Sequence, residues 1–155
     1  MKISDILSEE LIVPTLQSSG KEEALRELSD HICRYRHDIS ASASDILSAL
    51  SNRERLGSTG VGEGVAIPHA KLPGLKSLVA CFGRAPHGVA FDAMDQQPVH
   101  LLFVLLVPEN SAGAHLKALA RISRLLKDGH FRSKLMTLPD HDALYQAFLH
   151  EDAKR

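Results

Sequence analysis

The chain has 155 residues, of which 44% are hydrophobic and 24% are charged. This balance is typical of a globular protein with a sizeable core, and we expect a single domain over residues 1–155. The formal net charge of −1, from 18 basic and 19 acidic side chains, argues against a nucleic-acid partner, because such proteins carry a strong basic excess.

Nothing in the sequence predicts export or membrane insertion. The N-terminus MKISDILSEEL has charges among its apolar positions, unlike a secretory signal. The longest apolar run, residues 101–107, is too short to span a bilayer. The two cysteines, Cys33 and Cys81, lie far apart and predict free, buried thiols in a reducing compartment. We therefore expect a cytoplasmic protein.

The first half of the chain predicts two helices after a short edge strand. Residues 11–16 read LIVPTL, and Pro14 limits the pairing of this strand. A helix is expected from Glu22 to Tyr35, because apolar residues recur there at helical spacing. A second helix is expected after Ser42, which has the spacing of a capping box with Asp45, and it should stop at Gly57. The predicted inner faces consist of Leu25, Leu28, Ile32 and Tyr35 and of Ile46, Leu47 and Leu50.

The second half predicts buried strands and three more helices. Residues 65–67, 77–83 and 98–108 are the expected strands, and the last is expected at the centre of the sheet because its unbroken apolar run implies burial on both faces. A long helix over residues 114–128 is followed by shorter ones around 129–136 and 140–150. This pattern predicts an α/β domain with helices on both faces of the sheet. The apolar stripe of the long helix consists of His115, Leu119, Ile122 and Leu126, flanked by Leu116 and Leu125, and its basic face, interpreted as solvated, consists of Lys117, Arg121, Arg124 and Lys127.

A glycine-rich stretch, GSTGVGEG, occupies residues 57–64 and precedes the sequence VAIPHAK. Glycines permit a positive φ and close approach of the backbone, and successive exposed N–H groups form an anion-binding nest. The stretch lacks the Gly-Lys-Ser/Thr end of a Walker A loop, and it does not open a helix as a dinucleotide-binding loop does. Alone, it is more often a plain turn, but the histidine that follows favours an anion cradle around one imidazole.

Three side chains are candidate site residues. His69 follows Pro68, which lacks an N–H, so we expect the imidazole to be held at a strand end as a ligand, base or nucleophile. His115 lies at the start of the long helix, where N–H groups attract anions, with a plain surface or core histidine as the equal alternative. Arg53 or Arg55 is placed to reach an anion bound at the loop. The spacings H-x-x-x-H and H-E-x-x-H do not occur, so neither a metal nor another cofactor is expected.

Two blocks of the sequence are recognisable. The first block is GSTGVGEGVAIPHAKL together with the stretch that leads into it, NRERLGSTG. The second block is GVAFDAMDQQPVHLLFVLLVPENSAGAHLKALARISRLL. In order and spacing, both resemble the signature of enzyme IIA domains of the fructose–mannitol phosphotransferase family. Within that family the chain most resembles the nitrogen-regulatory branch. Ala70 departs from the pattern, because many members of this branch have glycine there and sugar-specific relatives have alanine.

The resemblance implies an α/β sandwich with a mixed central sheet and a phosphocarrier function. It implies that His69 accepts a phosphoryl group, on Nε2, from a histidine phosphocarrier protein. His115 is then expected to support the phosphoryl group without being phosphorylated, and Arg53 to lie near the site. The expected phosphoryl-binding loop consists of Gly57, Ser58, Thr59, Gly60, Gly62 and Gly64.

The phosphorylation state is expected to regulate partner proteins such as transporters or kinases, with no membrane insertion. Two alternatives stay open at this point. In the first alternative, the chain is a sugar-specific enzyme IIA that passes the phosphoryl group to an enzyme IIB. In the second, it is a module that senses an anion without covalent chemistry.

Overall fold

The structure, a computed structural model, describes residues 1–155 apart from the side chain of Ala112. These residues form five α-helices and one mixed sheet of six strands. The strands are β1 (Ile12–Val13), β2 (Gly60–Gly62), β3 (Val65–Ala66), β4 (His69–Lys71), β5 (Val79–Val89) and β6 (Val99–Val107). The helices are α1 (Lys21–Tyr35), α2 (Ala43–Glu54), α3 (Ala112–Lys127), α4 (Gly129–Thr137) and α5 (His141–Ala153). The predicted α/β fold with a mixed central sheet is confirmed.

Strand β6 is the centre of the sheet, as its apolar run predicts. It pairs antiparallel with β5 and parallel with both β3 and β4, and all of its residues except His100 are buried. The short strand β1 pairs with β5 at one edge, in agreement with the edge position expected from Pro14. Strand β5 extends to Val89, beyond the predicted end at Gly83, because a register shift accommodates the residues between Arg84 and Val89.

Helices cover both faces of the sheet. Neighbouring residues of a strand point to opposite faces. The ring of Phe82 meets the ring of Phe148 in α5 edge-on, with 4.8 Å between the ring centroids. A Cβ atom at the next residue, Gly83, would lie 2.9 Å from the Leu28 side chain of α1. Helices α1 and α5 therefore lie on opposite faces, and α2 packs against α1.

The helix predictions are confirmed, with two exceptions on the apolar faces. Helix α2 begins after Ser42, and Ser42 and Asp45 exchange the two hydrogen bonds of a capping box. Tyr35 and Leu116 are predicted to be buried, yet they are 46% and 63% exposed. Tyr35 is the last residue of α1 and Leu116 lies near the start of α3, so the core covers neither position fully.

Two further expectations from the sequence concern the membrane and the thiols. Among the described residues, none of the helices combines the length and the apolarity that crossing a bilayer requires. Cys81 is buried, Cys33 is half-buried, and both are free thiols within the part of the chain that the structure describes.

Candidate active site

His69, His115 and Arg53 line one cavity of about 540 Å³, which we call the histidine cavity. The planes of the two imidazole rings are inclined by 29°, with 6.5 Å between the ring centroids. The structure therefore brings together the three side chains that the sequence singled out. The remaining lining residues come from α2, the segment after it, β4 and the end of β6; they are Ala49, Asn52, Leu56, Ala70, Lys71 and Val107.

The pairing of β4 with β6 places the two histidines side by side. The strands are parallel, and His69 and Lys71 lie opposite Leu105 and Val107. Both strands thus end at the same edge of the sheet, where ligands commonly bind in α/β folds. Helix α3 begins a few residues after β6 ends, and His115 is in its first turns. Helix α2 packs against β4 and contributes Arg53 from its last turn.

Pro68 interrupts the backbone between β3 and β4 without removing the chain from the sheet. It has no N–H to donate, yet its carbonyl oxygen accepts a hydrogen bond of 2.9 Å from the Leu105 N–H. The sequence predicts that His69 follows the end of a strand; in the structure His69 instead begins β4, on the same neighbouring strand β6. Strand β6 therefore holds the backbone both before His69, at Pro68, and after it, within β4.

The tautomer of His69 follows from one hydrogen bond. Its Nδ1 lies 2.8 Å from the carbonyl oxygen of Ile67. A carbonyl oxygen only accepts, so Nδ1 carries the proton, and Nε2 of the neutral ring keeps its lone pair. This arrangement presents a nucleophilic nitrogen to the histidine cavity.

The environment keeps the His69 ring neutral. Burial of the ring lowers the pKa of His69 below its usual range. The hydrogen bond to Ile67 opposes this shift, whereas the nearby charge of Arg53 and the neighbouring His115 lower the pKa further. Nε2 therefore retains its lone pair at pH values where an exposed histidine is partly protonated.

His115 presents a hydrogen-bond donor to the same cavity. Its Nδ1 is buried and has no hydrogen-bond partner among the described residues. A buried N–H without an acceptor is costly, so the proton belongs on Nε2. The hydroxyl of Ser111, at the N-cap of α3, donates to the Pro108 carbonyl oxygen at 2.7 Å and does not cap the helix. The electropositive end of α3 therefore adds to the attraction for an anion.

We expect Arg53→Gln to raise the pKa of His69, because it removes a positive charge that disfavours the imidazolium. The measurement is an NMR titration of the His69 ring carbon signals. Arg55→Gln removes the same charge from an exposed residue that does not line the histidine cavity, and it is the matched control. An equal pKa in wild type and Arg53→Gln would show that Arg53 does not act on the ring.

The glycine-rich stretch forms a β-hairpin and not the open cradle that the sequence suggests. Strands β2 and β3 pair antiparallel, and the two residues between them, Glu63 and Gly64, have φ values of 58° and 76°. Two positive φ values are the mark of the tight hairpin turn for which glycine is selected. Gly60 serves a different purpose, since a Cβ atom there would lie 2.8 Å from the Cβ of Ala93. Two of the four glycines, Gly62 and Gly64, therefore shape the hairpin.

Three of the six N–H groups of the expected phosphoryl-binding loop donate hydrogen bonds within the protein. Those of Gly57, Thr59 and Gly60 donate to the Glu54 carbonyl, the Glu54 carboxylate and the Ser58 hydroxyl. Gly60, Gly62 and Gly64 are not among the residues that line the histidine cavity. Gly57 is held next to the cavity, because its carbonyl accepts a hydrogen bond of 3.0 Å from the Arg53 guanidinium. A phosphoryl contact from Gly57 or Ser58 stays a prediction.

Glu54 anchors the segment that leads into the site. Its buried carboxylate accepts hydrogen bonds from the Thr59 N–H and hydroxyl, and it lies 3.1 Å from the Lys21 ammonium of α1. The Thr59 carbonyl in turn accepts from the Ile67 N–H at 3.0 Å. This chain of contacts fixes Ile67, whose carbonyl orients His69. One carboxylate near a helix end carries no motif, so the sequence alone does not predict this role of Glu54.

Lys71 is a second residue of the site that is not among the candidates predicted from the sequence. It lines the histidine cavity and is exposed. Residues two apart on a strand share a face, so the spacing of His69 and Lys71 within β4 was a usable signal. Lys71 adds a second cation to the cavity beside Arg53, which suits the cavity to a group with several negative charges.

Comparisons with known proteins place the chain in a family. The family model described as "Phosphoenolpyruvate-dependent sugar phosphotransferase system, EIIA 2" matches residues 5–151. A nitrogen regulatory protein of Bradyrhizobium diazoefficiens is 42% identical over 145 residues, which cover 94% of this chain and 93% of that protein. A fructose-specific EIIA component of Haloferax volcanii is 39% identical over 135 residues, which cover 86% of each chain. The crystal structure of the nitrogen regulatory protein IIA-Ntr from Neisseria meningitidis superposes with a TM-score of 0.87 at 36% identity, covering 94% of this chain and 98% of that one.

Proposed function

Because the chain belongs to the phosphoenolpyruvate-dependent sugar phosphotransferase system EIIA 2 family, we propose that it is a phosphocarrier that holds the phosphoryl group on Nε2 of His69. The donor is a histidine phosphocarrier protein. Residues 1–155 act as one domain, and the phosphorylation state of His69 regulates partner proteins, in the manner that the name of the Bradyrhizobium relative suggests.

The observation that carries the proposal is the fixed tautomer of His69. A phosphoryl acceptor needs a nitrogen with a free lone pair, and the Nδ1–H bond to the Ile67 carbonyl leaves Nε2 in that state. Arg53, Lys71 and His115 surround the same cavity and supply positive charge and a donor N–H.

The reaction is a transfer between two nitrogen atoms. The Nε2 lone pair of His69 attacks phosphorus in line, the N–P bond of the donor breaks, and its electron pair returns to the donor imidazole. A bond between Nε2 and phosphorus forms, and Nδ1 keeps its proton. The Ile67 carbonyl, which accepts that N–H, stabilises the positive charge that the His69 ring gains. Arg53, Lys71 and the His115 N–H stabilise the charge on the phosphoryl oxygens, which is the main requirement of phosphoryl transfer.

The test is transfer from phosphoenolpyruvate through purified enzyme I and a histidine phosphocarrier protein, followed by intact mass. We expect a gain of one phosphoryl group that is stable in base and labile in acid, as a phosphorus–nitrogen bond requires. The ³¹P spectrum identifies the phosphorylated nitrogen, which we expect to be Nε2. No mass gain from this donor system would overturn the proposal and would favour a module that binds an anion without covalent chemistry.

We expect His115→Ala to slow phosphorylation of His69 by roughly one hundredfold, because one preorganised donor to the transferring group is lost. The effect is measured as the single-turnover rate from the phosphorylated donor. His115→Gln retains an N–H donor and should restore part of the rate. His130→Ala replaces an exposed histidine of α4 and is the matched control. An unchanged rate in His115→Ala would remove His115 from the supporting role.

Phosphorylation offers a direct way to change partner binding. A phosphoryl group adds between one and two negative charges at neutral pH. It would enter a cavity rimmed by the exposed side chains of Leu56 and Lys71. A partner that binds the unphosphorylated rim then meets a much less positive local charge, so one face can distinguish the two states. Transporters and kinases are the kinds of partner that we expect.

A sugar-specific role is the second candidate, and the fructose-specific relative from Haloferax volcanii favours it. In that case the phosphoryl group leaves His69 for an enzyme IIB. Incubating the phosphorylated protein with a fructose-type enzyme IIB distinguishes the two roles. Rapid loss of the label to enzyme IIB supports the sugar-specific role, and retention of the label supports the regulatory one.

A further inference from the structure

A second cavity, of about 490 Å³, lies between the β2–β3 hairpin and the C-terminal half of α3; we call it the hairpin cavity. Its apolar lining comes from four side chains, Val61, Val65, Ile67 and Leu126. Its volume lies within the range of small-molecule sites in proteins. None of the residues that line the histidine cavity lines this one, so the two are distinct.

The charged lining of the hairpin cavity consists of two cations, Lys127 and Arg132, and one carboxylate, that of Glu63. Lys127 and Arg132 line the cavity at the point where α3 ends and α4 begins. One nitrogen of the Arg132 guanidinium, Nη1, donates to the carbonyl oxygens of Leu126 and Lys127 at 3.0 and 2.8 Å, so the head group is held in place. The other nitrogen, Nη2, lies 3.5 Å from the carboxylate of Glu63, whose side chain is 78% exposed.

The contact with Glu63 leaves this cation available to a ligand. An exposed ion pair at that distance contributes little to stability and is readily exchanged for another carboxylate. The Lys127 ammonium forms no ion pair with the described residues. An apolar chamber with two cations at one end is complementary to a molecule with an apolar body and a single anionic head.

We propose that the hairpin cavity binds a small carboxylic acid with an aliphatic tail. The tail contacts Val61, Val65 and Leu126, and the carboxylate pairs with Lys127 and Arg132 in place of Glu63. The binding site is separate from the proposed phosphorylation site and does not depend on that function.

The two cavities are nevertheless connected through Ile67. Ile67 lines the hairpin cavity, while its carbonyl oxygen holds the Nδ1–H of His69 at 2.8 Å. A ligand that shifts Ile67 therefore changes the length of this hydrogen bond. Occupancy of the hairpin cavity is expected to alter the His69 ring signals even in a protein that is not phosphorylated.

The first experiment is a titration of the unphosphorylated protein with sodium octanoate, followed by ¹H–¹⁵N NMR. We expect saturable shifts of the amides of Val61, Ile67 and Leu126 and of the His69 ring. The neutral alcohol octanol has the same tail and should bind at least about tenfold more weakly. Absence of saturable shifts at these amides, or equal binding of octanol, would overturn the proposal.

Two variants locate the ligand. Ser123→Trp places an indole from the exposed face of α3 into the hairpin cavity and should reduce octanoate affinity about tenfold or more. Lys127→Met removes one cation and should reduce affinity about fivefold. Lys134→Met makes the same change at an exposed α4 residue outside the lining and should leave affinity unchanged. Wild-type affinity in both Ser123→Trp and Lys127→Met would place the ligand elsewhere and refute the site. Because the readout is binding, a negative result here leaves the phosphocarrier proposal intact, and loss of phosphorylation leaves this one intact.

Discussion

His69→Ala is expected to abolish phosphorylation completely, since the substitution removes the nitrogen that attacks phosphorus in the proposed reaction. The Nε2 lone pair is directed to the histidine cavity by the Nδ1 bond to Ile67, and the neighbouring His115 cannot replace it. The Nδ1 of His115 is buried without a hydrogen-bond partner among the described residues. A proton there would be costly, so Nε2 carries it, and His115 presents an N–H donor and not a lone pair to the histidine cavity. The measurement is intact mass after incubation with the phosphorylated donor system.

Two further variants make this result specific. His69→Gln retains a polar side chain of similar length but offers no nucleophile, so we expect it to remain unphosphorylated. His100→Gln replaces a half-buried histidine of β6 that lies outside the histidine cavity, and we expect it to be phosphorylated like wild type. A full phosphoryl gain in His69→Ala would show that another side chain is the acceptor. Circular dichroism of each variant separates loss of chemistry from loss of fold.

The pH dependence of the reaction provides an independent check on the environment of His69. Its pKa is lowered in the folded protein, so between that value and the ordinary histidine value of about 6.5 the unfolded chain binds more protons than the folded one. The contribution of His69 to stability is therefore complete above the ordinary value and declines as the pH falls below it. Acceptor activity should likewise persist below pH 6.5 and fall only when the ring in the folded state is protonated. An activity profile with its midpoint at or above the ordinary histidine value would contradict this account.

The sequence predicts the parts of the molecule that depend on local patterns. The capping box of Ser42 and Asp45 sets the start of α2, and the apolar run from Val99 to Val107 identifies the central strand. The candidate histidines were also found locally, since Pro68 marks one and the start of α3 marks the other. These signals involve neighbours within a few residues, so they do not require knowledge of the tertiary structure.

The parts that the sequence did not predict depend on distant residues. Gly60 and Gly64 suggest an anion cradle in the sequence. In the structure, a side chain at position 60 would clash with Ala93, more than thirty residues later, and Gly64 provides the positive φ of a hairpin turn. The buried carboxylate of Glu54 is paired with a cation because the fold brings Lys21 of α1 to it. Arg84 is an extreme case: it lies just beyond the predicted strand of residues 77–83, and no pattern in the sequence predicts that it is buried within β5. Its partners are backbone carbonyls, which leave no trace in the sequence.

Arg84→Met is expected to destabilise the protein by about 3 kcal/mol or more, the largest stability effect that we predict for a single substitution. Arg84 is 6% exposed and joins three segments of the chain. Its Nε donates to the Pro14 carbonyl at 2.8 Å, and its Nη1 donates to the carbonyls of Leu135 and Leu138, at the end of α4, at 2.8 and 2.5 Å. Methionine fills a similar volume but satisfies none of these acceptors, and an unpaired buried carbonyl costs about 1–3 kcal/mol.

The measurement is urea unfolding, with the thermal midpoint as a second readout. For a chain of this size a loss of 3 kcal/mol corresponds to a decrease in Tm of roughly 6–12 °C. Arg55→Met makes the same chemical change at an exposed position of the chain and should alter the free energy of unfolding by less than about 0.5 kcal/mol. Arg84→Lys retains the charge but replaces the planar fork by a single ammonium, which cannot reach carbonyls on two sides, so its stability should lie between those of wild type and Arg84→Met. Equal stability of Arg84→Met and Arg55→Met would mean that the hydrogen bonds of Arg84 only balance its cost of burial. Arg84 would then contribute no net stability, and apolar contacts alone would hold α4 to the sheet.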